Sequence, residues 1–135
     1  MYNILFVCKF NRLRSKLAES LMRNYIKNKE VDIKSAGLML DPIRPFVSKE
    51  VIDVLKQRGL KVADEKSILI NKQMIEWANK IIVVSDNLSL SMFPPEKVEI
   101  WGVKDANEGD TYGLFLILSE IEKYVQQLTN RLNRK

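Results

Sequence analysis

The residues most able to do chemistry lie in one short stretch, Cys8-Lys9-Phe10-Asn11-Arg12-Leu13-Arg14-Ser15. An apolar run, Ile4 to Val7, precedes it and reads as a buried strand; a periodic helical pattern follows it. The chain's single cysteine therefore sits where a parallel strand gives way to a helix. Free backbone N–H groups and the positive end of the helix dipole make such a junction an anion site. A cysteine held there has its thiolate favoured over its thiol, which makes it a nucleophile. Six residues on, Arg14 offers a planar fork of donors that matches two oxygens of a tetrahedral oxyanion. Ser15 can donate to the thiolate and cap the helix. Strand, cysteine, arginine, serine and helix in this order suit transfer of a phosphoryl group to sulfur.

The elements around this stretch must hold it at the carboxyl end of a sheet. Leu17, Ala18, Leu21, Met22, Tyr25 and Ile26 share one helix face. Val31 to Ser35 reads as a second strand, ended by Ala36-Gly37. After a loop with Pro42 and Pro45, the residues Phe46, Val47, Val51, Ile52 and Leu55 line a helix that Gly59 stops. A short helix is expected over Lys72 to Asn79, and a central strand over Lys80 to Ser85 from its β-branched run. Leu88 to Phe93 is read as a helical turn stopped by Pro94-Pro95, and Val98 to Trp101 as a fourth strand. A long helix closes the chain, with Leu114, Ile117 or Leu118, Ile121, Val125, Leu128 and Leu132 as a core stripe. Alternating strands and helices argue a three-layer α/β fold: a central four-stranded parallel sheet, helices on both faces, and a phosphate-binding loop after strand 1. Ligands in such sheets sit at the carboxyl ends of the strands, where Cys8 lies.

Composition bounds the reading. The length of 135 residues suits one domain, 1–135. With 46% apolar and 29% charged residues the chain has the make-up of a soluble globular protein. The excess of 22 basic over 17 acidic residues is spread along the sequence, and no basic stripe interleaved with aromatics suggests a nucleic-acid partner. One cysteine allows no internal disulfide and suits a reducing, cytoplasmic setting. Cys8-Lys9 interrupts the N-terminal apolar run, which is not read as a signal peptide, and no window is long enough to span a membrane. Trp77 and Trp101 read as core or edge packing, and Lys9 and Lys16 as solvent-exposed charges.

The segment Val7 to Ser15 resembles the active-site loop of the low-molecular-weight protein tyrosine phosphatases. The likeness continues through Leu17-Ala18-Glu19, Ser35-Ala36-Gly37, Val84-Ser85-Asp86-Asn87 and the late loop Asp105-Ala106-Asn107-Glu108-Gly109, in the family's order. The resemblance implies a cysteine-dependent phosphatase acting on a phosphorylated protein, typically at phosphotyrosine, or on a small phosphate ester. It implies that Cys8 attacks phosphorus and that Arg14, with the backbone of Lys9, Phe10, Asn11, Arg12, Leu13 and Arg14, holds the equatorial oxygens. Ser15 would bind and support the nucleophile. Asp105 would protonate the leaving oxygen and then activate water, with Glu108 or Asp110 the next candidates. Asn11 would brace the loop, for which a left-handed backbone is a local reason, and Ser35 would support Asn11. No metal and no cofactor are implied.

Departures from the family pattern bear on specificity. Phe10 stands where the family has glycine, and Leu13 where many members have a second cysteine. Ala106 replaces a proline, and Asn107 and Glu108 replace aromatics. Asp86 lies one place after the family's usual aspartate, and a loop histidine has no counterpart, with Asp64 or Glu65 nearby. Two alternatives remain on the same scaffold: an arsenate reductase using an external thiol, and a catalytically weak phosphate-binding module.

Overall fold

The structure, a computed structural model, describes residues 1–107 and 109–134. Four strands, β1 (Tyr2–Cys8), β2 (Val31–Gly37), β3 (Lys80–Val84) and β4 (Val98–Trp101), form one parallel sheet in the order β2-β1-β3-β4. β1 has neighbours on both sides, pairing Phe6 with Ser35 of β2 and with Ile82 of β3. That explains its unbroken apolar run: Ile4 to Val7 are fully buried because both sheet faces are covered.

Alternation along β1 sends side chains into two cores. Ile4 and Phe6 join α1 (Arg14–Tyr25), α2 (Lys49–Gln57) and α4 (Thr111–Asn133) on one face. Leu5 and Val7 join Met74, Ile75 and Trp77 of α3 (Lys72–Trp77) on the other. The expected stripe on α4 is buried in full, from Leu114 to Leu132. Each such side chain contributes about 1.5–3 kcal/mol by leaving water. Trp101 is buried, stacked on Tyr124 at 4.8 Å and tilted against Phe6 at 5.5 Å. Trp77 edges the second core, with the Lys34 ammonium 4.5 Å from its ring centre. Among the described residues no helix is long and apolar enough to cross a membrane.

Four local expectations need correction. Ser15 does not cap α1: Leu13 holds the N-cap position without a side-chain hydrogen bond, and Ser15 lies inside the first turn. Phe46 and Val47 precede α2 rather than sharing its face; Phe46 is half exposed and bridges to Lys66. Residues 88–93 form no helix, and a short 3₁₀ turn occupies Pro95–Lys97 instead. Proline suits a helix start, where its missing N–H is no loss. Lys16 is buried, at 1% exposure, whereas Lys9 is exposed as expected.

Candidate active site

The loop 9–13 leaves the carboxyl end of β1 and packs directly over Gly37 of β2. A side chain at Gly37 would bring its Cβ to 2.8 Å from the Asn11 nitrogen and the Phe10 carbonyl carbon, so only glycine lets the loop lie this close. The pairing of the two strands continues past their ends: Leu38 N–H donates to the Cys8 carbonyl and Met39 N–H to that of Lys9. Asn11 has φ of 54°, the one non-glycine residue with positive φ among those described. This left-handed residue turns the chain, and asparagine adopts it at lower cost than most side chains.

Asn11 is wholly buried and its amide is bonded through both its nitrogen and its oxygen. Its Nδ2 donates to Ser15 Oγ at 2.7 Å and to Ser35 Oγ at 3.0 Å, while its Oδ1 accepts from Ile68 N–H at 2.9 Å. Ser35 Oγ donates onward to Glu19 Oε1 at 2.6 Å, and Arg23 bonds the same carboxylate. At the other end Ser15 Oγ lies 2.9 Å from Cys8 Sγ. Because Ser15 already accepts from Asn11, its hydroxyl hydrogen is available to a thiolate on Cys8. A continuous polar chain thus runs from Glu19 to the sulfur.

Arg14 is held from the far strands. Its Nη1 donates to the Val103 carbonyl at 2.8 Å and to Ser85 Oγ at 3.1 Å, and it lies 3.7 Å from Asp86 Oδ1. Its Nη2 lies 3.7 Å from Asp105 Oδ2. The side chain is 6% exposed, so the guanidinium faces the site instead of bulk water. Asp105 is itself 60% exposed, and its Oδ1 accepts from Ala106 N–H.

These groups line one cleft of about 220 Å³. Cys8, Arg14 and Asp105 come together there although 97 residues separate the first from the last. Lys9, Phe10, Arg12 and Leu13 also line it, so most of the loop picked out by sequence faces the cleft. Asn11, Ser15 and Ser35 lie behind it as supports. Asp41, Arg44 and Ser48 complete the mouth and carried no sequence signal. N–H groups of Ile43 and Arg44 hold the Asp41 carboxyl below its ordinary value, so it remains an anion beside the two arginines. Arg12 Nε donates to the Phe46 carbonyl, which orients its guanidinium at the mouth. Asp110 caps α4 through Gly113 N–H, which explains its place in the late loop. Glu108, singled out from the sequence, lies outside the described residues. Among the described residues no three His, Cys, Asp or Glu side chains converge as a metal cluster would.

Comparison with known proteins identifies the family. A curated protein-arginine-phosphatase of Geobacillus stearothermophilus is 31% identical over 80% of this chain and 73% of its own length. An arsenate reductase of Staphylococcus aureus is 25% identical over 76% of each chain. The crystal structure of a protein tyrosine phosphatase from Entamoeba histolytica superposes with a TM-score of 0.86 at 21% identity, covering 99% of this chain and 98% of that one. The profile of the family described as low molecular weight phosphotyrosine protein phosphatase matches residues 3–135, and the chain therefore belongs to that family of cysteine-dependent phosphatases.

Proposed function

We propose that the protein hydrolyses phosphate monoesters of phosphorylated proteins, phosphotyrosine foremost, through a cysteinyl-phosphate intermediate. The Cys8 thiolate attacks phosphorus, an S–P bond forms, and the P–O bond to the leaving group breaks. Asp105 gives its proton to the departing oxygen. Arg14 and the backbone N–H groups of residues 9 to 14 hold the equatorial oxygens as charge shifts onto them. Asp105, now a carboxylate, takes a proton from water; the water oxygen attacks phosphorus, the S–P bond breaks, and phosphate leaves. The observation that carries this reading is the meeting of Cys8, Arg14 and Asp105 in one cleft, with Ser15 2.9 Å from the sulfur. A single cysteine that must stay reduced suits a cytoplasmic location.

The relatives raise two other substrates. Phosphoarginine carries a cationic guanidinium next to its phosphorus, which Arg12 at the cleft would repel and the carboxyls of Asp41 and Asp105 in the same cleft would attract. Arsenate reduction by this chain would need a thiol from outside, because Leu13 stands where a second cysteine would be and Cys8 has no partner in the sequence. The mouth is also short of aromatic surface in the late loop, where Ala106 and Asn107 line it. Acidic phosphopeptides fit the cationic mouth better than free phosphotyrosine.

Turnover of para-nitrophenyl phosphate tests the reading. Activity should persist in excess chelator, be blocked by vanadate, and vanish in Cys8→Ser. Loss of activity with chelator, or retention in Cys8→Ser, would sink it. Arsenate turnover that requires added thiol and exceeds phosphatase activity would favour the reductase.

A further inference from the structure

Lys16 has no part in the steps just described, yet its side chain is buried against the back of the loop. It directly follows Ser15 in α1, is 1% exposed, and reaches away from the cleft to the segment 64–68. There its Nζ donates to the carbonyl of Asp64 at 2.6 Å and to that of Lys66 at 2.8 Å. A buried ammonium is unfavourable unless its donors are used, and this one binds two carbonyl oxygens.

The segment that Lys16 grips is also the one that clasps the loop. Ser67 Oγ donates to the Asn11 carbonyl at 3.1 Å, and Ile68 N–H donates to Asn11 Oδ1 at 2.9 Å. The same segment is tied on its outer side, where Val47 N–H donates to the Glu65 carbonyl and Ser67 N–H to that of Pro45. It is therefore a strap fixed at four places: to α1 by Lys16, to residues 45–47 by backbone bonds, to β2 by Gly37 N–H, which donates to the Ile68 carbonyl at 2.8 Å, and to the turn of the loop by Ser67 and Ile68. Asn11 is the residue whose left-handed backbone shapes that turn.

We propose that Lys16 is a positioning residue for the phosphate-binding loop, pinning the 64–68 strap so that the strap holds Asn11 in place while the buried cation stands behind the Cys8 thiolate. The proposal rests on the phosphatase reading of Cys8 and its loop. The charges around the ammonium fit this role. Burial pulls the Lys16 pKa below its ordinary value, and attraction to Glu19, Asp64 and Cys8 pulls it back up. Arg23 of α1 and Lys34 of β2 line the same cavity as further cations. A neutral side chain at position 16 would remove this attraction together with the two carbonyl bonds.

Lys16→Met removes the charge and the donors at nearly constant length, and Lys16→Arg retains both. Three readouts separate positioning from plain stability: competitive inhibition by inorganic phosphate, kcat against KM on an aryl phosphate, and iodoacetamide alkylation of Cys8 across mildly acidic to neutral pH. Folded Lys16→Met should bind phosphate about tenfold more weakly and alkylate more slowly at acidic pH by a similar factor, as expected when a reacting group is displaced. Lys16→Arg should recover most of both. A folded Lys16→Met with wild-type phosphate inhibition and a wild-type alkylation profile overturns the proposal. Should Lys16→Met fail to fold, Ser67→Ala decides, since it frees the strap from the Asn11 carbonyl and leaves the buried cation alone. Weaker phosphate binding in Ser67→Ala supports the strap, and unchanged binding overturns it. Failure of the phosphatase reading looks different, because the wild type itself would then neither turn over the ester nor bind phosphate.

Discussion

Asn11 is the position where a single substitution should cost most, and the structure lets the cost be divided. Asn11→Ala removes three side-chain hydrogen bonds, two buried ones donated to Ser15 and Ser35 and a partly buried one accepted from Ile68 N–H. At roughly 1 kcal/mol net for each bond, this amounts to about 3 kcal/mol. Alanine must also adopt the φ of 54°, which asparagine tolerates and a plain Cβ resists; that adds roughly 1–2 kcal/mol. The total, about 4–5 kcal/mol, is a large share of the stability of a domain this size. Asn11→Gly loses the same bonds but relieves the backbone, so the difference between the two variants isolates the conformational part. Urea unfolding of wild type, Asn11→Ala and Asn11→Gly measures both parts, and kcat/KM on an aryl phosphate shows whether the loop keeps its shape. Glycine should be the more stable variant by roughly 1–2 kcal/mol, with both far below wild type in activity. Equal stabilities for the two would refute the role given to the left-handed turn, and a loss under 1 kcal/mol in both would refute the hydrogen-bond count.

Asp105→Asn should reduce hydrolysis of alkyl phosphates by roughly 10²–10⁴ and of nitrophenyl phosphate much less, since a good leaving group needs little protonation. Equal losses on both substrates would move the acid elsewhere. Arg12→Ile should lower kcat/KM for acidic phosphopeptides by roughly 0.2–1 kcal/mol, the increment of a solvated charge pair, and leave a neutral aryl phosphate nearly unchanged; a matched panel of phosphopeptides differing only in charge reads this directly, and indifference to charge would count against the cationic mouth. Acid should unfold the protein partly through Glu122. Burial opposes ionisation of Glu122, but hydrogen bonds from Arg58 at 2.5 Å and Tyr25 at 2.7 Å outweigh it and hold its carboxyl below the ordinary value. Its contribution is therefore complete above the unfolded value of about 4.3 and disappears as pH falls through the lower folded value. Glu122→Gln should cost on the order of 1 kcal/mol at neutral pH and lose less than wild type over that acid window; an unchanged acid slope would exclude this cluster as a cause.

The nucleophile loop was legible because its parts are contiguous: the strand run, Cys8, Arg14, Ser15 and the helix pattern all fall within one window. The sheet was legible because β1 and β3 are buried on both faces, which leaves long apolar runs with no alternation to misread. Asp105 has no such local mark, since an aspartate in a polar loop usually makes a turn, and only the order of family motifs singled it out. Lys16 was misread because a lysine in the first turn of a helix is solvated by default, and the partners that overturn the default are backbone carbonyls. Any residue supplies a carbonyl, so the sequence of the strap carries no sign that it binds an ammonium 48 residues earlier. The same holds for the Val103 carbonyl that anchors Arg14 and the Phe46 carbonyl that orients Arg12. Groups that react must be particular side chains, and they leave a trace in residue type and spacing. Groups that hold them in place need only a polar backbone at the right distance, which the fold supplies. Gly37 lies between the two cases: its type was visible, but its reason is a 2.8 Å approach of the loop backbone that only the assembled sheet creates. Substitution there should therefore act through the loop and impair phosphate binding, although residue 37 has no side chain and does not line the cleft.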